Sequence, residues 1–122
     1  MKKLIGSKSR LMIGAGILVA ILCLSNSCSK SSSSNPTTNP GANEVWIQGM
    51  AFNPATITVN AGTTITWTNK DGVAHTVTSN TGVFDSGTMN VNGTYSHLFS
   101  IAGSFPYHCT IHPSMTATVV VN

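Results

Sequence analysis

Apolar and polar residues alternate with a period of two along much of the chain after residue 43. Alternation of this kind is typical of β-strands that bury one face. Besides the alternating segments around residues 45, 57 and 65, strands are predicted over 94–99, 104–109 and 116–121. Asn, Gly and Asp residues between the segments favour turns. The pattern therefore predicts about seven strands. The clearest alternating apolar pairs are Val45 and Ile47, Ile57 and Val59, and Ile65 and Trp67.

No window of the sequence shows a convincing helical stripe. Short strands at regular spacing with turn residues between them favour an all-β fold. We therefore expect residues 43–122 to form one domain, a two-sheet Greek-key β-sandwich. A domain of this size has a marginal core, so a ligand that binds only the folded state would add stability.

The first 42 residues differ in composition from the predicted domain. Four of the six Lys and Arg residues lie in the first ten positions, before a mostly apolar run over 11–24. This arrangement is typical of a secretory signal peptide and is too short to span a bilayer comfortably. We predict a signal peptide over 1–27, followed by a flexible tether over 28–42 that is rich in Ser, Thr, Asn and Pro.

Cys28 follows the apolar run in a segment that resembles a bacterial lipoprotein cleavage site, although Ser25 stands where such sites usually carry Leu. A lipid on Cys28 would hold the domain at a membrane, and conventional cleavage with plain secretion is the alternative. Either way we expect an exported protein of the periplasm or cell envelope. An unpaired Cys109 in an oxidising compartment indicates a protected or metal-bound sulfur.

The formal charge of +3 for the whole chain is misleading, because most of it belongs to the predicted signal peptide. Residues 43–122 contain three carboxylates and one lysine, a net charge of −2. No basic patch remains in the domain, which argues against a nucleic-acid partner. We expect a monomer that docks on other proteins through a mostly apolar patch. The charged side chains of the domain are Glu44, Lys70, Asp71 and Asp85.

Four side chains form a candidate metal site: His75, and then Cys109, His112 and Met115 on one short stretch. The spacings C-x2-H and H-x2-M allow a tight loop to direct all three at one ion. Two imidazoles and a thiolate in a trigonal plane, with a weak axial thioether, are typical of an electron-transfer copper site. Zinc also takes Cys and His, but a thioether adds little for zinc and favours copper.

With these residues the chain resembles the cupredoxins, the blue copper proteins, and within them the plastocyanin and amicyanin type. The resemblance covers about residues 44–122, including the segments 52–59, 65–69, 75–77, 84–87 and the loop that begins at Cys109. It implies a carrier of single electrons with one type 1 copper ion, and not an enzyme. One departure is Thr76, because the family usually carries Asn there to tie the ligand loops together; a hydroxyl can hydrogen-bond similarly, and such contacts tune the metal.

The other two histidines are excluded from the predicted site. His108 precedes Cys109 and therefore faces the opposite side of its strand. His97 shares a strand face with Tyr95 and Phe99, which indicates a packed histidine.

The alternative function is a copper-binding module for delivery or scavenging. Such modules generally expose Met-rich or His-rich segments, and the tether contains neither residue. For a carrier, the predicted apolar docking patch consists of Phe52, Ile111 and Pro113. We also expect His112 to lie nearer the surface than His75.

Overall fold

The computed structural model describes residues 38–122, so the predicted signal peptide, Cys28 and most of the tether lie outside the described residues. Within 38–122 no helix has the length and hydropathy needed to cross a membrane. Every regular element there is a strand, which confirms the predicted all-β class. The strands are β1 (Glu44–Ile47), β2 (Phe52–Asn53), β3 (Thr56–Val59), β4 (Thr63–Asn69), β5 (Thr78–Ser79), β6 (Thr94–Phe99), β7 (Gly103–His108) and β8 (Thr116–Val121).

The strands form two four-stranded sheets, which confirms the predicted sandwich. One sheet has the order β2-β1-β4-β6 and the other β3-β8-β7-β5. Both sheets are mixed, because β1 pairs parallel with β4 and β3 pairs parallel with β8, while the remaining pairs are antiparallel. The parallel pairs require the chain to cross between the two sheets.

The period-two pattern determines which side chains form the core between the sheets. In β4 the side chains of Ile65 and Trp67 are fully buried, while Thr66 between them is partly exposed. Trp67 lies among aromatic rings of both sheets and donates a hydrogen bond from Nε1 to the Tyr107 hydroxyl at 3.1 Å. This buried bond joins β4 of one sheet to β7 of the other, the strand that leads to Cys109.

The two shortest strands were not among the predicted ones. β2 and β5 contain two residues each, which is too short for an alternating pattern to be visible. β6 and β8 have the predicted bounds, and β7 begins and ends one residue earlier than predicted. These differences leave the predicted sandwich unchanged.

Strand direction places all the candidate ligands at one end of the sandwich. β7 ends at His108, which pairs with Thr116 at the start of β8 and with Thr78 at the start of β5. Cys109 therefore follows one paired strand end, and Met115 precedes another. His75 lies just before β5 and forms a bridge with Met89. We refer to this end of the sandwich as the ligand end.

Candidate metal centre

The connection between β7 and β8 carries three of the four predicted ligands. The Cys109 N–H donates to the Met115 carbonyl at 3.1 Å, and the Met115 N–H donates to the His112 carbonyl at 2.9 Å. These two bonds fold residues 109–115 into a closed loop on a strand pair whose register is fixed. The loop therefore places Met115 beside Cys109, and His112 lies on the same loop between these two residues.

Three donor atoms converge at this loop. His75 Nδ1 and His112 Nδ1 are 3.1 Å apart, and each lies 3.8 Å from Cys109 Sγ. Metal–nitrogen bonds of about 2.0 Å and metal–sulfur bonds of about 2.3 Å allow two ligands of one ion to be at most about 4.3 Å apart. All three separations satisfy this limit. The donor triangle therefore fits one small metal ion, and its two nitrogens and one thiolate suit copper.

The candidate ligands differ in burial, and His112 was expected to lie nearer the surface than His75. His75 and Cys109 are fully buried and Met115 is 4% exposed, whereas His112 is only half-buried. The expectation that His75 lies deeper than His112 is thus confirmed. The inward orientation predicted for Cys109 from its shared parity with Tyr107 is confirmed as well, because both side chains are fully buried. Met115 is buried on the same loop, and the ligand roles of all four residues stay predictions.

Thr76 connects the two segments that carry the ligands. Its backbone N–H donates to Cys109 Sγ at 3.3 Å, and its Oγ1 accepts the Thr110 N–H at 2.8 Å. The same hydroxyl lies 3.0 Å from the Thr78 hydroxyl and 3.1 Å from the Thr110 hydroxyl. The expectation that a hydroxyl can tie the ligand segments together at this position is confirmed.

Asp71 is the residue at this site that the sequence reasoning missed. One carboxylate oxygen, Oδ2, lies 3.0 Å from His75 Nε2 and accepts the Met50 N–H at 2.9 Å, while Oδ1 accepts the Gly49 N–H at 2.6 Å. Burial raises the pKa of this carboxyl, but the two backbone N–H groups and His75 together hold the pKa below its ordinary value. A carboxylate four residues before a ligand histidine was the signal in the sequence.

The two histidines that were excluded have other surroundings. The His97 ring packs against Phe84 and Phe99, with centroid separations of 5.0 and 4.8 Å, as expected for a packed histidine. Burial lowers the pKa of His97. His108 Nδ1 lies 2.6 Å from Asn80 Oδ1, on an exposed part of the surface. Among the described residues, one cluster of His, Cys or acidic side chains could hold a metal ion. It consists of His75, Cys109 and His112.

The prediction that Phe52 belongs to an exposed docking patch was wrong. Phe52 is only 4% exposed, because its ring packs edge-on against Tyr107 at 4.8 Å. Ile111 and Pro113 are exposed, as predicted. Other loops at the ligand end add large exposed apolar side chains that the sequence reasoning did not name: Met50, Val73 and Val91.

Comparison with known proteins places this geometry in a family. The sequence pattern that defines the family of copper binding proteins described as plastocyanin/azurin matches residues 40–122 of this chain. Amicyanin-alpha of Methylorubrum extorquens is 37% identical over 86 residues, which cover 66% of this chain and 72% of that protein. Amicyanin of Paracoccus denitrificans is 36% identical over 86 residues, with 66% of each chain covered.

A solved structure of an oxidised amicyanin variant superposes with a TM-score of 0.63 at 36% identity and covers 67% of this chain and 83% of its own. The predicted resemblance and fold are thereby confirmed. The chain belongs to the copper-binding plastocyanin/azurin family: it is a cupredoxin, a blue copper electron carrier with one copper ion as its cofactor.

Proposed function

We propose that His75 Nδ1, Cys109 Sγ and His112 Nδ1 hold the copper ion in a trigonal arrangement, with Met115 as a weak axial ligand. The observation that carries the proposal is the convergence of the three donor atoms within 3.8 Å of one another. A buried thioether on the same closed loop supports the axial role. When bound, copper supplies a reversible one-electron couple, and a ligand set of this kind is typical of electron transfer.

The protein's own residues hold the ligands in place and keep water from most of them. His75, Cys109 and Met115 are buried, so solvent has little access to the ligand atoms on that side. The Thr76 N–H donates to the sulfur and its hydroxyl accepts the Thr110 N–H, so both Cys109 and Thr110 are held against the His75 segment. A site that changes little between oxidation states needs little rearrangement when an electron moves, and this arrangement favours a carrier over an enzyme.

The half-buried His112 is the ligand through which we infer that electrons enter or leave. It lies on the loop between exposed Ile111 and Pro113, so a partner docked there would approach a ligand side chain directly. His75 and Cys109 have no exposed surface. Copper delivery, the alternative function, requires ligands that a recipient protein can reach, and burial of these two ligands disfavours it.

Docking is proposed to use an apolar surface at the ligand end. We define this docking surface as Ile111 and Pro113 together with the exposed side chains of Met50, Val73 and Val91. The domain has four charged side chains, so long-range electrostatic steering is limited. We expect association with redox partner proteins to depend little on salt concentration. The carrier is proposed to act as a monomer.

We further propose that the protein is exported and that a lipid on Cys28 anchors it to a membrane of the cell envelope. A lipid on Cys28 would leave 15 residues, 29–43, between the anchor and the start of β1. A flexible chain of this length spans roughly 20 Å on average. The domain could therefore turn freely near the membrane while it exchanged electrons with its partners.

Replacing Cys109 with serine is expected to abolish the intense blue absorption of the copper-loaded protein, because that colour arises from thiolate-to-Cu(II) charge transfer. Visible absorption spectroscopy of the Cu(II) form measures the effect. Cys28→Ser is the matched control and should keep the colour. A Cys109→Ser variant that stays intensely blue would remove Cys109 from the ligand set.

Replacing Met115 with glutamine is expected to preserve copper binding and to lower the reduction potential, since a harder oxygen donor favours Cu(II) over Cu(I). Redox titration of the copper-loaded variant measures the change. Leu98→Gln introduces the same amide at an exposed position of β6 away from the ligand end and should leave the potential near that of the wild type. An unchanged potential in Met115→Gln would show that Met115 is not an axial ligand.

Replacing Ile111 with lysine is expected to slow electron transfer to a redox partner without changing the copper spectrum, because a charge would have to be desolvated in an apolar interface. Stopped-flow kinetics with the partner protein measure the rate. Ile101→Lys is the matched control, since Ile101 is 72% exposed on the turn between β6 and β7, away from the ligand end. Equal rates for the two variants would place docking elsewhere.

Replacing Cys28 with serine is expected to release the exported protein from the membrane fraction, because the serine hydroxyl does not replace the lipid-accepting thiol. Fractionation of cells that express the full chain, with mass spectrometry of the mature N-terminus, measures this. Cys23→Ser should stay in the membrane fraction, since Cys23 belongs to the predicted signal peptide. A wild-type protein found free of lipid in the soluble fraction would support conventional secretion instead.

A further inference from the structure

The Asp71 carboxylate has three hydrogen-bonding partners, two of which, backbone N–H groups, can only donate to it. The partners are the backbone N–H groups of Gly49 and Met50, which donate, and His75 Nε2, which lies 3.0 Å from Oδ2. The side chain of Asp71 is 14% exposed, so water has limited access to these bonds. An amide in its place would offer one oxygen to three donors, and at least one donor would lose its partner.

This contact decides which nitrogen of His75 carries the proton. An ionised carboxylate accepts hydrogen bonds and donates none, so Nε2 of His75 must bear the hydrogen that points to Asp71. The lone pair of the neutral ring then lies on Nδ1, the atom that converges with Cys109 Sγ and His112 Nδ1. Because His75 is fully buried, no exposed face of the ring offers water as a substitute partner.

The same carboxylate holds a strained turn. The turn between β1 and β2 has positive φ at both central residues, 67° at Gly49 and 62° at Met50. Glycine adopts such a conformation freely, but methionine does so at a cost that the surroundings must offset. Two backbone N–H groups of this turn donate hydrogen bonds to Asp71. These bonds offset part of the conformational cost of the turn, and the carboxylate connects the turn to His75.

We propose that Asp71 is a positioning residue that fixes His75 in the Nε2–H tautomer, presents Nδ1 to the metal and ties this ligand to the β1–β2 turn. The part that concerns metal binding rests on the proposed ligand role of His75. The tautomer itself is a property of the metal-free protein, so its test is independent of whether copper binds as proposed. Carboxylate partners of ligand histidines also make the ring a stronger donor.

The first experiment is nitrogen-15 NMR of the histidine rings in the metal-free protein at mildly alkaline pH. The wild type is expected to show His75 in the Nε2–H form, and Asp71→Asn is expected to show a shift toward the Nδ1–H form. Glu44→Gln removes the same charge from a carboxylate that bonds only the nearby Gly41 N–H, and it should match the wild type. An Nδ1–H tautomer in the wild type overturns the proposal, whether or not the Asp71→Asn variant folds.

The second experiment separates positioning of the ligand from support of the turn. Asp71→Asn is expected to weaken Zn(II) binding by roughly 10–100-fold and to raise the copper reduction potential, because a negative charge beside a ligand favours the more oxidised ion. Adding Met50→Gly, which adopts positive φ without strain, should restore thermal stability to the variant but not its metal affinity or potential. Recovery of affinity and potential in the double variant would show that Asp71 acts only through the turn, which contradicts the proposal.

Discussion

Closure of the loop between β7 and β8 is the constraint on which the metal site depends. Two backbone hydrogen bonds join Cys109, His112 and Met115 into one closed loop. The loop can close this tightly because the pairing of β7 with β8 fixes both of its ends.

The sandwich brings the other proposed ligand, His75, to the loop from another part of the chain. His75 is held in this place by a bridge to Met89, by the contacts of Thr76 with the loop and by the carboxylate of Asp71. Contacts of this sort are hydrogen bonds in a buried environment, where an unmatched partner is costly. Loss of any one of them would therefore affect the ligand geometry more than its small contact area suggests.

Sequence reasoning could predict the parts of this structure that depend on periodicity and on ligand chemistry. The bounds of β6 and β8 follow from alternation over six residues, and the grouping of His75 with Cys109 and His112 follows from what copper requires. It could not place Phe52, since an aromatic residue next to a turn can point outward or, as here, into the core. It missed Asp71, because the spacing of four residues before His75 was the signal in the sequence, while the two N–H groups that hold the carboxylate lie more than twenty residues earlier.

The two histidines of the candidate site differ in burial and in their hydrogen-bonding partners. His75 is buried and bonded to a carboxylate, so it resists movement and maintains the donor triangle. His112 borders solvent on a loop with exposed apolar neighbours, so of the two proposed histidine ligands it is the one nearer the surface. With one lysine and three carboxylates in the domain, there is little charge to orient a partner from a distance. The proposed docking surface therefore relies on the shape and apolar character of the loops around His112.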